Sequence, residues 1–372
     1  MKSAPSVALP PQLGHVPSAC LHHTAANALG GALWAPGVCA AMTDLTFVSR
    51  VTLPAAADWS HLTDLAILRV GGQDRLYATS RFDGAISSWN INGATPVHLD
   101  SAAYAGGLTP GSTGTLMSLN IAGRPVLVTG GATAGGGLMQ SVLLPDGSLA
   151  PGVAIAGTGG VISGLLGGVT VTLSNGQQVI YGGLAGGDGL ARIRFDATGQ
   201  SLGAAVAGDT AATYAADVVD VAHLSIGGQN FVYTASASEH GITTWVLGST
   251  GGVAAGPSLG THEGLWIAAP TQLEVARVDG ADYLIVGATT SNSLSVIRVA
   301  ADGSLHVTDH MLDTLHTRFG GVTALSVVEA QGRTLTDQGL IAMPGTPLAP
   351  STGPPSSPCS RCPKTTFSPA PA

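Results

Sequence analysis

The chain has 372 residues and a formal net charge of -8; only 10% of its residues are charged, while 45% are apolar. That thin negative charge offers no basic stripe to displace counterions from a nucleic-acid backbone and no basic amphipathic segment for a membrane surface. The apolar share excludes a largely disordered chain, and 53 glycines among Val, Leu, Thr and Ser favour short strands joined by tight turns.

Residues 1–41 are rich in Ala, Pro, Gly and His and show no periodicity. Lys2 supplies a positive charge, but Pro5, Pro10, Pro11 and Pro17 interrupt any apolar segment of a secretory leader. This head is expected to be an unstructured extension outside the native protein, with Met42 as the native start. Cys20 and Cys39 lie in it, and Cys359 and Cys362 lie in the tail. The tail pair forms a lone C-x-x-C without a second pair or nearby histidines, which reads as plain tail rather than as a zinc or redox site.

From Met42 onward the chain repeats. Gly72, Gly123, Gly176, Gly228, Gly280 and Gly332 follow one another at 51 to 53 residues. A second series runs Gly84, Gly137, Gly189, Gly241, Ser293, and a third Gly93, Gly147, Gly199, Gly251, Gly303, at the same period. Alternating apolar residues precede the first glycine of each copy (Leu68 and Val70, Leu224 and Ile226), the period-2 mark of a strand. A second strand follows at Leu76, Leu127, Ile180, Val232 and Leu284. The second glycine opens a third strand, whose apolar pairs are Trp89 and Ile91, Val142 and Leu144, Ile193 and Phe195, Trp245 and Leu247, Ile297 and Val299. The third glycine marks a hairpin, "PDGSL" or "ADGSL", in which Asp-Gly is expected to supply positive φ angles. A fourth strand follows, as at Ser304.

Four short strands per 52 residues, with no helical period, describe one blade of an all-β propeller of WD40-like construction. The run from Leu149 to Ala191, uncharged but for Asp188, is long enough for a membrane span. Its glycines keep the repeat register, however, so it reads as strands. The stretch "DLTFVSRVTL", Asp44–Leu53, precedes the first copy, and its Leu45 stands five periods before Leu305. It is expected to close the last blade, giving six blades. The sixth copy starts on register with Gly332 but then places Thr336 and Asp337 where apolar residues belong, and its third strand would fall on Ala349 and Ser351. Nine prolines lie between Pro344 and Pro371, which exclude central strands. The expected division is therefore an extension over 1–41, a propeller over 42–333 with a truncated last blade, and a disordered, frameshifted or truncated Pro-rich tail over 334–372.

"GGQNFVYTASASEHGITTWVL" and "VDGADYLIVGATTSNSLSVIRVAADGSLHV" resemble the propeller-like N-terminal region of secreted alphaproteobacterial proteins that carry RTX (hemolysin-type) calcium-binding repeats. The blades are more loosely similar to those of lactonase-type propellers. The first resemblance implies an extracellular protein and calcium as the family's ion. The calcium-binding nonapeptides themselves are absent, the nearest approach being "GGLAGGDGL" from Gly182, which reads as a turn. No other cofactor is predicted.

"GVISG" at Gly160 has the wrong spacing for a nucleophile elbow, and "GGATAGGG" from Gly130 lacks the lysine of a phosphate loop. Polar candidates cluster instead in loops at one end of the ring. They are Asp58 and His61 (with Trp59), Arg81 and Asp83, Glu239 and His240, and His262 and Glu263 (with Trp266). A carboxylate, a histidine and an aromatic on facing loops can hold a sugar, a lactone or an ion. Surface loops also carry such residues without function. The expected role is a non-catalytic interaction or display module, a monomer whose partner is a protein or a carbohydrate. The alternatives are a lactonase-like hydrolase using the loop His, Asp and Glu residues, and a non-functional truncated remnant.

Overall fold

The computed structural model describes residues 62–80, 85–93, 96–103, 115–130, 138–162, 164–278, 280–314, 320–329 and 338–344. The expected closing strand Asp44–Leu53, the head and the tail beyond Pro344 lie outside them. The first blade comprises β1 (Leu62–Val70), β2 (Gln73–Ser80), β3 (Ala85–Asn90) and β4 (Val97–Ala103). The second comprises β5 (Thr115–Ile121), β6 (Arg124–Gly130), β7 (Leu138–Val142) and the short β8 (Val153–Ala154). The third has β9 (Leu165–Thr172), β10 (Gln178–Leu184), β11 (Leu190–Phe195) and β12 (Ser201–Ala207). The fourth has β13 (Val218–Ile226), β14 (Gln229–Ser236), β15 (Gly241–Leu247) and β16 (Val253–Leu259), and the fifth β17 (Pro270–Val278), β18 (Ala281–Ala288), β19 (Ser293–Val299) and β20 (Leu305–Leu312). Each set is an antiparallel meander in chain order. A sixth sheet holds β21 (Val322–Glu329) and β22 (Gln338–Pro344). The fold is an all-β propeller. Among the described residues the only helical element is a 3-10 turn at Thr261–Glu263, and no helix is long and apolar enough to cross a membrane.

The local chemistry of the repeat explains its geometry. Val70 pairs with Gln73 and Ile226 with Gln229, around turns in which both central residues are left-handed (Gly71 and Gly72 at φ 59° and 78°). That is the tight hairpin whose twist matches the strands. The other hairpin differs from expectation. In "PDGSL" and "ADGSL" only the glycine is left-handed, as at Gly147 (φ 93°) and Gly303 (φ 82°). The aspartate before it acts through its side chain: Asp146 Oδ1 accepts from the Ser148 amide and hydroxyl at 2.9 and 2.7 Å, and Asp302 does the same for Ser304. Asp is favoured here because it bonds its own backbone two residues on.

First strands neighbour one another around the ring, β1 beside β5, β5 beside β9, β9 beside β13, β13 beside β17 and β17 beside β21. Apolar clusters fill the spaces between consecutive blades. Leu116 packs with Ala66, Leu68 and Tyr77 of the first blade, and Val221 with Tyr181 and Leu190 of the third. Leu325 likewise packs with Leu294 and Ile285 of the fifth. Leu116, Val221, Leu273 and Leu325, each seven before its turn glycine, thus face the preceding blade, whereas Val169 of the third blade, at the same count, packs toward the fourth. Tyrosines add polar ties: the Tyr77 hydroxyl donates to the Gly147 carbonyl at 3.1 Å and the Tyr181 hydroxyl to Gly251 at 2.8 Å, each bridging to the next blade's hairpin. Burial pushes both phenols up to about 12.

One expectation needs correction. In the second blade Val142 and Leu144 are exposed (45% and 41%), while Ser141 and Leu143 point inward. Counting from the hairpin glycine, Ser141 and Leu143 are the counterparts of Ile193 and Phe195, so the expected pairing is displaced by one residue and crosses to the other face. In the sixth sheet β21 and β22 pair from Val322 with Pro344 to Glu329 with Gln338; Gly332, Thr336 and Asp337 lie outside the described residues.

Candidate functional site

Loops joining second to third strands, and segments leading from one blade into the next, gather at one end of the ring. Glu239 and His240 end the loop between β14 and β15. Glu239 Oε2 accepts from the Ala216 amide at 2.9 Å, and His240 Nδ1 accepts from the Ala269 amide, in the segment leading into the fifth blade, at 3.1 Å. These bonds recur by position. Asp188 Oδ1 accepts from the Asp217 amide (3.3 Å), and Asn292 Oδ1 from the Gly321 amide (2.8 Å), each pair 29 residues apart like His240 and Ala269. The Ser291 hydroxyl takes the amide of Ala268 as Glu239 takes that of Ala216. The receiving positions are left-handed throughout, at Asp217 (φ 51°), Ala269 (φ 51°) and Gly321 (φ 69°). Backbone in that conformation turns its N–H away from any ladder, so a side chain must satisfy it.

Glu263 is engaged in a similar way. Its Oε2 accepts from the Gly260 amide at 2.8 Å, capping the 3-10 turn, and from the Tyr214 hydroxyl at 3.3 Å. The Tyr214 ring packs onto the backbone of Gly241 and Gly260, leaving no room for a Cβ at either. Burial, helped by the nearby Glu263 and Glu239 charges, raises the Tyr214 pKa. Just beyond, Leu265 and Ile267 are buried in the core between the fourth and fifth blades. Alternation then forces Trp266 outward, where it is 67% exposed; His262, four residues earlier in the chain, is exposed as well. The structure thus brings Glu239 and Glu263 to Tyr214, with His240 next to Glu239, while His262 and Trp266 flank Glu263 in the chain. Asp58, His61, Arg81 and Asp83 lie outside the described residues. Asp83 holds the repeat position of Asp188, His240 and Asn292, one residue before the glycine or serine that opens a third strand.

The sequence reading missed a second group at the centre of the ring. Asp64 (β1) and Asp220 (β13) stand three periods apart in the chain. Asp64 Oδ2 accepts from the Leu116 amide at 2.8 Å and Asp220 Oδ2 from the Leu273 amide at 2.7 Å, so each ties its blade to the next. Their other oxygens accept from the amides of Leu65 and Val221. At the same place in the second blade, the Thr115 hydroxyl donates to the Leu165 carbonyl of the third. Asp220 keeps some exposed surface, yet protein surrounds its carboxyl. That desolvation, with Glu274 and Asp64 adding like charge, pushes its pKa up to about 7. Burial raises Asp64 and Glu274 as well. Among the described residues no three His, Cys, Asp or Glu side chains come close enough together to hold a metal ion.

No family model matches the chain, and no curated protein does. Solved structures do, at low identity. A functionally unknown protein from Desulfotomaculum acetoxidans is 14% identical over 70% of this chain and 74% of its own, with a TM-score of 0.47. A candidate 6-phosphogluconolactonase from Bacteroides fragilis is 15% identical over 66% and 69%, at 0.47. A GH43_1 enzyme from Xanthomonas citri, solved with xylotriose, is 12% identical over 68% and 91%, at 0.42. Likeness at this level assigns no chemistry.

Proposed function

We propose that this propeller is a non-catalytic interaction module that holds a carbohydrate, displayed in a secreted protein of the RTX type its blades resemble. The observation that carries the reading is the state of the loop cluster. The acceptor atoms of Glu239, His240 and Glu263 that the structure pairs are spent on backbone amides, which supports a scaffolding role for them. Trp266, in contrast, is held outward by its buried neighbours, close in sequence to His262 and to the Tyr214–Glu263 pair. An exposed indole beside a few fixed polar groups is what a sugar face stacks on. On a glycan array, Trp266→Ala is expected to lose about tenfold or more in apparent affinity, ~1.4 kcal/mol, with an unchanged thermal midpoint. A wild-type protein that retains no glycan would count against the reading.

A hydrolase is the second reading, and the central carboxylates favour it. A carboxyl titrating near neutrality, in range of a second carboxylate, is suited to acid–base work on a lactone or glycoside. The two readings separate in a hydrolysis assay on lactones, with and without divalent metal. The interaction module is expected to show no turnover. Turnover that Asp220→Asn abolishes while the fold persists would replace it with the hydrolase.

A further inference from the structure

The residue beneath the third-series glycine is hydrocarbon in two joints of the ring and charged in a third. A Cβ on Gly251 would meet the Val179 side chain, and one on Gly303 the Phe231 ring; one on Gly147 would fall 2.8 Å from Arg75 Nε. These three residues are repeat counterparts, each three after its first-series glycine and two before a tyrosine (Tyr77, Tyr181, Tyr233). The second blade has Val126 at this position, buried like Val179 and Phe231. The first blade thus sets a guanidinium where its counterparts bury apolar side chains.

Arg75 is only 6% exposed, yet its Nε and Nη1 have no hydrogen-bond partner. The Ser88 hydroxyl is fully buried and likewise unpartnered. Strand pairing puts the two side by side. Tyr77 stands opposite Ser88 and Arg75 opposite Asn90, so both side chains lie on the face from which Tyr77 reaches the Gly147 carbonyl. The acids nearby are committed elsewhere. Asp146 is close enough for its charge to be felt, but it is exposed on the hairpin and its Oδ1 is taken by Ser148. Asp100, opposite Ser88, gives its two oxygens to the amides of Ser101 and Leu149. A buried charge without a partner is costly to keep. We propose that Arg75 and Ser88 form a site for a small oxyanion of the phosphate type, held between the first blade and the 144–148 hairpin of the second. A guanidinium fork matches two oxygens of such an ion, and the hydroxyl donates to a third. The close approach of Gly147 and the slight exposure of Arg75 restrict the site to an ion of that size. It lies by the β1–β2 turn, at the end of the ring away from the loops of Glu239 and Glu263, and is independent of how those loops are read. Bound there, the ion ties the second blade's hairpin to the first blade and links the stability of the ring to oxyanion concentration.

The test melts the full chain across a series of inorganic phosphate concentrations at fixed ionic strength. Phosphate is expected to raise the thermal midpoint by roughly 3–5 °C once it exceeds its dissociation constant about tenfold. Exclusion of phosphate from the protein surface also favours the folded state, but that part acts on every variant alike. Arg75→Met keeps an unbranched stem without the charge, and is expected to show only this general part. Arg75→Lys keeps the charge and loses the fork, and is expected to need about tenfold more phosphate for the same rise. The lysine variant decides the matter if the methionine variant does not fold. Midpoints that climb equally with phosphate in the wild type and Arg75→Met would overturn the proposal. So would an Arg75→Lys protein with the phosphate requirement of the wild type, because the planar fork would then play no part.

Discussion

Gly183→Ala is expected to destabilise the ring by roughly 2–3 kcal/mol, the cost of overpacking against a neighbour that cannot turn aside. Gly183 lies in β10, where a Cβ would run into the Val218 carbonyl at the start of β13 in the next blade. That oxygen belongs to the backbone of an innermost strand, so no rotamer change relieves the clash. The same register offers an internal comparison. Gly287, two blades on, meets the side chain of Val322 instead, and a valine can give way. Gly287→Ala is therefore expected to cost about 1 kcal/mol less. The fourth blade has Ala235 at this position, fully buried, so a single methyl is accommodated there. Thermal melts of the two variants beside the wild type check the order. For a ring of this size the Gly183 change corresponds to a fall of roughly 3–5 °C. Equal midpoints would mean the first strands are not packed as described.

The repeat could be read because each blade buries both faces against its neighbours, which imposes the same spacing of glycines and apolar residues on every copy. The reading failed where that constraint is weak. Val142 and Leu144 form an apolar pair as convincing as any on a third strand, so periodicity alone did not fix which face they occupy; counting back from Gly147 would have. The loop candidates were legible as a group but not in their role, since a side chain that caps a left-handed backbone amide is of the same polar type as one that binds a ligand. The signal that separates them was present: Asp188, His240 and Asn292 recur at one repeat position with different chemistries and the same partner 29 residues on. A catalytic or metal-binding position tolerates no such exchange, whereas an amide needs only an acceptor. Asp64 and Asp220 carried a comparable signal, two carboxylates in phase on apolar first strands. His61 stands three residues before Asp64, and Asp217 and His223 three residues to either side of Asp220, but an odd spacing along a strand alternates faces, so no motif spacing singled them out.

Those central carboxylates give the stability of the ring an unusual pH dependence. In the unfolded chain an aspartate titrates near about 3.9; in the ring Asp220 titrates at about 7, because burial disfavours its charged form. Between these values the folded state holds a proton that the unfolded state has released, so folding stability falls as pH rises from about 4 to about 7 and levels off above. Asp64 and Glu274 are raised in the same direction and steepen the fall. The opposite sign applies to Asp146, Asp196 and Asp302, held below the usual range chiefly by hydroxyl groups of their own turns. What they add is present above the unfolded value and lost as pH drops through their folded ones, which sets the acid edge. Stability is thus expected to peak near about pH 5. From about pH 5 to about pH 8 the unfolding free energy in urea should decline by roughly 2–4 kcal/mol, at about 1.4 kcal/mol for each tenfold difference in proton affinity between the folded and unfolded chain, discounted for the solvent that reaches the ring's centre. Asp220→Asn should flatten most of that slope. It should be the less stable protein at the acid end of this range, where the acid is protonated and keeps its ties to Val221 and Leu273, and should match or exceed the wild type at the alkaline end, where the wild type carries a charge in the interior. A wild type whose stability is flat or rises across this range would show that both carboxyls are ionised in the folded ring. The backbone amides of Leu116 and Leu273 would then be the dominant influence on them, outweighing burial.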